Sequence, residues 1–152
     1  MNKELNIFLD TQLSAAADLA LGVDQISPMW ALVDTKKQVT LIVSPWGNDD
    51  EKDAIVTAVK AKMKQDGTVM YAHIAEAWMA KVSLDDPDKL MKIRPSERED
   101  KEEVIIVTVN DHLDTVMGML SIERDDQGKI IGTKRLPTQE GRFEGRMVEL
   151  LR

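Results

Sequence analysis

Two strand-like runs, Met70-Tyr-Ala-His-Ile-Ala-Glu-Ala-Trp-Met79 and Val104-Ile-Ile-Val-Thr-Val109, flank a polar segment that contains Arg94-Pro-Ser-Glu-Arg-Glu-Asp100. In the second run, Val104 to Val107 are apolar at odd and even positions alike. Successive side chains of a strand point to opposite faces, so such a run belongs in the middle of a sheet. The first run extends from Val69 to Lys81, beyond the roughly three to ten residues of an ordinary strand. Glu76 is the charge in its interior, and a bulge or bend is expected there. Unbroken alternation puts Tyr71, His73, Ala75, Ala77 and Met79 on one face. Met70, Ala72, Ile74, Glu76 and Trp78 fall on the other. The segment between the runs is too long and too charged for a turn, and a long loop carried by a sheet is where binding residues concentrate.

Working outward, Lys3 to Leu21 carries Leu5, Leu9, Leu13 and Ala16 at three- and four-residue steps. That is the period of an amphipathic helix, and Gly22 stops it. Met29 to Asp34 and Gln38 to Ser44 are β-rich runs joined by a short polar segment, which reads as a hairpin. Pro45 breaks the second run. Asp49 or Asp50 can cap a helix from Glu51 to Gln65, whose Ile55, Val59 and Met63 share a face and which Gly67 ends. Asp86-Pro87 has the form of a short helix start. Downstream, Asp111-His-Leu-Asp114 turns the Glu102–Asp111 strand into Thr115–Arg124, and Asp126-Gln-Gly128 turns that strand into Gly128–Arg135.

Helix, hairpin, helix and then strands joined mainly by turns predict an α+β fold. The expectation is a single domain over residues 1–137, with a mostly antiparallel sheet of about five or six strands and the two main helices packed on one face. Residues 138–152 form a C-terminal tail. It carries Phe143, Met147, Val148, Leu150 and Leu151, and residues 129–152 are net basic while residues 76–128 are net acidic. Those apolar side chains need cover, either on their own domain or on a neighbouring subunit, where a two-fold homodimer is the common arrangement.

At 152 residues the chain is long enough to build a core without staples. Its 43% hydrophobic and 31% charged residues are those of a globular protein. It has no cysteine, which excludes a disulfide framework, a thiolate metal site and a cysteine nucleophile. A net charge of −7 opposes a phosphate backbone, so no nucleic-acid partner is expected. No run approaches the roughly 20 apolar residues of a membrane span, and the N-terminus lacks the form of a signal peptide. A cytoplasmic location without membrane contact is the expectation.

Chemistry-bearing patterns are sparse. His73, His112, Asp111 and Asp114 show no metal-ligand spacing, and neither a metal nor a cofactor is expected. There is no G-x-S-x-G elbow, and Ser96 beside Glu97 reads as a loop serine bonded to backbone. Asp85/Asp86 and Glu99/Asp100 lie in solvated runs. Gly128 to Gly132 lacks the order of a phosphate loop. No residue is assigned to catalysis. Trp78 beside the Arg94 loop is the best recognition ring, with Arg94 expected to stack on the indole. The candidate binding residues are Trp78, Arg94, Ser96, Glu97 and His73.

Glu76-Ala-Trp-Met79, Arg94-Pro-Ser-Glu97 and Glu103-Val-Ile-Ile-Val107, in that order and spacing, resemble a family of small uncharacterised bacterial and phage-borne proteins. The similarity spans Ala75 to Arg135. It implies that Trp78, Arg94, Ser96 and Glu97 belong to one feature, and it brings no activity with it. The resulting expectation is a non-enzymatic protein-interaction or self-assembling accessory protein, phage- or mobile-element-encoded, whose partner is another protein or a second copy. The alternative is a small ligand-binding domain or enzyme that uses the Trp78/Arg94 loop as its site.

Overall fold

The computed structural model of the chain describes residues 2–45, 48–79, 102–140 and 150–151. The elements are α1 (Lys3–Ala20), β1 (Met29–Asp34), β2 (Val39–Val43), α2 (Asp49–Asp66), β3 (Thr68–Met79), β4 (Glu102–Asn110), β5 (Thr115–Arg124), β6 (Ile130–Arg135) and the two-residue β7 (Gln139–Glu140). The strands form one curled sheet in the order β2-β1-β3-β4-β5-β6, and β7 pairs with β5. Every pairing is antiparallel. The α+β class, the antiparallel sheet and the central place of the Val104–Val107 strand follow the sequence expectation.

The helices do not share a face. Alternate residues of β1 and β3 join different clusters. Ala31, Val33, Ala72 and Ile74 pack with Leu5, Leu9, Leu13 and Ala16 of α1. Trp30, Leu32 and Tyr71 pack with Val59 and Met63 of α2. Neighbouring strand residues point oppositely, so α1 and α2 cover opposite faces, which corrects the expectation of a one-sided arrangement. The reason lies in the chain path. Both β2 and β3 run antiparallel to β1, hence parallel to each other, and α2 is the crossover between them. Crossovers between parallel strands are right-handed, which leaves the helix one face only.

Local chemistry sets the helix ends. The side chain of Asn2 accepts a bond from Leu5 N at 3.0 Å to start α1. Asn48 accepts from Glu51 N at 2.8 Å, so Asn48 rather than Asp49 or Asp50 caps α2. Asp49, Asp50 and Glu51 instead fill its first turn, where the exposed N–H dipoles favour negative charge. After α1, Gly22 N donates to Ile130 O at 2.8 Å and Ile130 N donates to Val23 O at 2.9 Å, which ties the helix exit to β6.

Strand β3 is long but unbroken. Its pairing with β4 runs without a shift from Tyr71↔Asn110 to Met79↔Glu102, so no bulge occurs at Glu76. The one irregularity of β3 lies at the opposite end, against Val33 and Asp34. The tail reaches the α2 face of its own chain: Leu150 and Leu151 pack on the Trp30 cluster, and Leu150 N donates to the Tyr71 hydroxyl at 3.1 Å. Its other apolar residues, Phe143, Met147 and Val148, lie outside the described residues, as does the helix start expected at Asp86-Pro87.

On the α1 face the helix packs tightly over Gly118. A Cβ there would stand 2.8 Å from one methyl of Leu13 and 3.1 Å from Leu9. Both leucines are buried. A Gly118→Val substitution overpacks this contact and is expected to cost roughly 1–3 kcal/mol. An unchanged urea midpoint in Gly118→Val would show that α1 does not seat on β5 as described.

Candidate functional site

Of the five residues singled out from the sequence, the structure places two. Trp78 stands on the α1 face of β3, near the end of the strand, and is 42% exposed. It borders a small cavity of about 210 Å³ lined with Glu76, Ala77 and Glu103. His73 is buried on the opposite face, with its ring 4.5 Å from that of Trp30. Because β3 has no register shift between His73 and Trp78, the two cannot line one pocket. Arg94, Ser96 and Glu97 lie outside the described residues.

The cavity beside Trp78 is flanked by a charge cluster that joins distant parts of the chain. Arg124 binds Glu103 through Nε and lies 4.0 Å from Glu76. Its Nη1 donates to the carbonyl of Asp24 and to that of Gly128, the latter at 2.7 Å. The other oxygen of Glu76 accepts from Ile26 N at 2.6 Å. Two carboxylates on adjacent strands thus share one guanidinium, and the loop after α1 is clasped to the sheet. Each side chain keeps about a quarter of its surface in water. The arrangement neutralises charge and fixes a loop.

On the other face, Trp30 Nε1 donates to Ser44 Oγ at 2.9 Å, and the Trp30 and Tyr71 rings lie 6.1 Å apart. Burial in this aromatic pocket, aided by the positive charge of Lys52, pulls the His73 pKa down to about 4. The Asp111–Asp114 turn is also structural. Asp111 Oδ1 accepts from Leu113 N and Asp114 N, and its Oδ2 accepts from the Asn2 amide at 2.7 Å.

A larger opening lies elsewhere. On its face α1 covers β3 to β6, β1 is buried at the margin of the same cluster, and β2 is left bare. Between α1 and the β1–β2 hairpin runs a groove of about 940 Å³, lined by Ile7, Phe8, Val33, Val39, Met70 and Leu113. Beside it the edge strand β2 presents Val39, Leu41 and Val43, which are 52%, 73% and 62% exposed. Their register partners Val33, Ala31 and Met29 fix them on the α1 face. Ile42, turned the other way, packs beneath α2. With Ile7 at 66% exposure, the groove and the strand form one apolar surface. The sequence reading identified this strand but gave no sign of its exposure: three alternate apolar residues look the same whether a helix covers them or not.

Two predictions arise from the charged groups. Arg124→Leu leaves Glu76 and Glu103 together without their cation and is expected to cost roughly 2–4 kcal/mol. Arg135→Ala, which removes an exposed pair with Asp10, should cost less than about 1 kcal/mol. Equal urea midpoints for the two variants would refute the clasp. For His73, the unfolded chain takes up a proton near its ordinary pKa of 6.5, whereas the folded chain takes it up near 4. Between those values the unfolded state binds more protons, so stability falls as pH drops from 6.5 to 4, by at most roughly 3 kcal/mol. His73→Leu should therefore lose less stability than the wild type between pH 7 and pH 4.5. Parallel pH profiles for the two proteins would contradict the burial of a neutral imidazole.

Comparison with family models, with curated proteins and with solved structures yields no match to this chain.

Proposed function

We propose that this chain is a non-enzymatic interaction module that works through the open edge of β2 and the groove beside it. The observation that carries the reading is the exposure of Val39, Leu41 and Val43 along an edge strand. An edge strand offers unpaired backbone groups, and proteins ordinarily blunt such edges with charges, proline or bulges. From Gln38 to Ser44 there is no charge and no proline, and the β1–β2 register is unbroken. The opposite edge, β6, ends in Lys134 and Arg135 and carries Gly132 in its interior. Among the described residues, the β6 edge is guarded and the β2 edge is not.

The adjoining groove strengthens the reading. A contiguous apolar patch rimmed by polar residues marks an interaction surface. Here the rim carries Glu4, Asp34, Lys37 and Asp111. Binding by strand addition takes its affinity from backbone bonds and its selectivity from alternate side chains, and β2 supplies both. An accessory role of the kind suggested by the resemblance to small bacterial and phage-borne proteins fits such a surface. Among the described residues, no group of three or more His, Asp and Glu side chains is placed to hold a metal ion, and no helix is long and apolar enough to cross a membrane.

A photo-cross-linking amino acid at position 41, in cells that make the protein, tests this. It should give one or a few discrete protein adducts, while the same group at the exposed α2 position Lys60 should give none of them. If position 41 attaches to no protein, or to the same smear of products as position 60, the reading is wrong.

A further inference from the structure

We infer that the partner seated on β2 is a second copy of this chain, joined by antiparallel pairing of the two β2 strands about a two-fold axis at Leu41. The inference rests on the interaction reading above and names its partner.

The hairpin ladder shows which backbone groups are on offer. Asp34 N donates to Gln38 O at 3.0 Å, and Ser44 N donates to Pro28 O at 2.8 Å. Between these two bonded pairs lie Leu32↔Thr40 and Trp30↔Ile42, with Val33↔Val39, Ala31↔Leu41 and Met29↔Val43 interleaved. In an antiparallel ladder, pairs that exchange hydrogen bonds alternate with pairs that do not. Thr40 and Ile42 therefore turn their N–H and C=O groups towards β1. Val39, Leu41 and Val43 turn theirs outward, to the open side. The residues with outward backbone are the same three whose side chains are exposed.

At its outward positions, Val39, Leu41 and Val43, the segment reads the same in both directions, while Thr40 and Ile42, which differ, turn their backbone groups to β1. Pairing about Leu41 sets Leu41 against Leu41 of the second copy and Val39 against the other copy's Val43, at both ends. Each of these is a bonded pair, so about six backbone hydrogen bonds form and no outward group of the three residues is left over. The axis stands perpendicular to the sheet, so both apolar stripes remain on one face and run together. The two sheets become one continuous sheet joined through their β2 edges. Because α1 lies over β3 to β6, it stays clear of the junction.

Charge favours the same partner. One end of β2 leads back to the hairpin tip with Lys36 and Lys37, and the other leads on to Asp49, Asp50 and Glu51 in the first turn of α2. Antiparallel pairing directs each copy's basic tip towards the other's acidic helix start, twice over by symmetry. No charge lies between Gln38 and Ser44 to oppose the approach of two chains that are each −7 overall. A five-residue strand buries less than the ~800 Å² per partner of a standard interface, so the dimer is expected to dissociate at micromolar concentrations.

The absence of native cysteine makes the register directly testable. At the axis the two copies of residue 41 place their Cα atoms about 5.5 Å apart, within the reach of a disulfide. Leu41→Cys should oxidise to a covalent dimer. Val39→Cys should not, since its two copies stand four residues out of register, roughly 13 Å along the strand. A mixture of Val39→Cys and Val43→Cys should cross-link as a heterodimer. In sedimentation at about 100 µM, far above a micromolar dissociation constant, the wild type should be dimeric. Leu41→Lys should be monomeric with an unchanged circular dichroism spectrum. A monomeric wild type, or Val39→Cys linking alone as readily as Leu41→Cys, overturns the inference. If self-pairing fails while the photo-cross-linker at position 41 attaches to a different protein, the open-edge reading stands and only the second copy is refuted. If position 41 attaches to nothing, both fall.

Discussion

The fold depends on two strands that are apolar on both sides. β3 and β4 pair over nine residues at the centre of the sheet, and most of their side chains are buried whichever way they point. Each such side chain stabilises the fold by roughly 1.5–3 kcal/mol only when it is removed from water. Neither face of these strands can therefore be left bare. One helix must go to each side, and the rest of the topology follows. The hairpin β1–β2 extends the sheet on one flank, and the crossover α2 returns over the face that α1 does not cover. Two helices divided between two faces cannot cover six strands completely. On the α1 face the uncovered part falls on β2.

Much of this was legible in residue patterns. The two hairpins, the ends of β1 and β5, and the central place of β4 all come from alternation and turn residues. The division of the helices does not, because it depends on the hand of a crossover rather than on either helix. Val104 to Val107 nevertheless held the clue, since a strand apolar on both faces demands cover on both. Glu76 misled for a different reason. A charge inside an apolar strand suggests a distortion when its partner is unseen. Its partners, Arg124 and the amide of Ile26, come together only once β5 and the α1 exit are in place.

The candidate site was less legible. Trp78 and His73 are conspicuous because their residue types are rare in this chain, and rarity is no guide to exposure. One is at the surface beside a small cavity, and the other is a buried ring tilted against Trp30. Leu41 was inconspicuous, one apolar residue in a strand of apolar residues. Its significance arises from β2 being an edge, which is a property of strand order. The contrast between an unguarded β2 and a β6 that ends in two cations is likewise visible only after assembly.

The docking of Leu150 and Leu151 has a consequence for how the chain acquires its structure. Leu150 and Tyr71, which it meets through a hydrogen bond, are 79 residues apart in sequence. Contacts of such long range form late, because the loop-closure entropy must be met before they contribute. During synthesis, Trp30, Leu32 and Tyr71 are made long before residues 150 and 151, so the aromatic pocket beneath α2 first forms with one wall missing. Until that wall arrives the nascent chain carries two open apolar surfaces, one temporary and one permanent. Docking of Leu150 and Leu151 closes the first and leaves β2 as the exposed one.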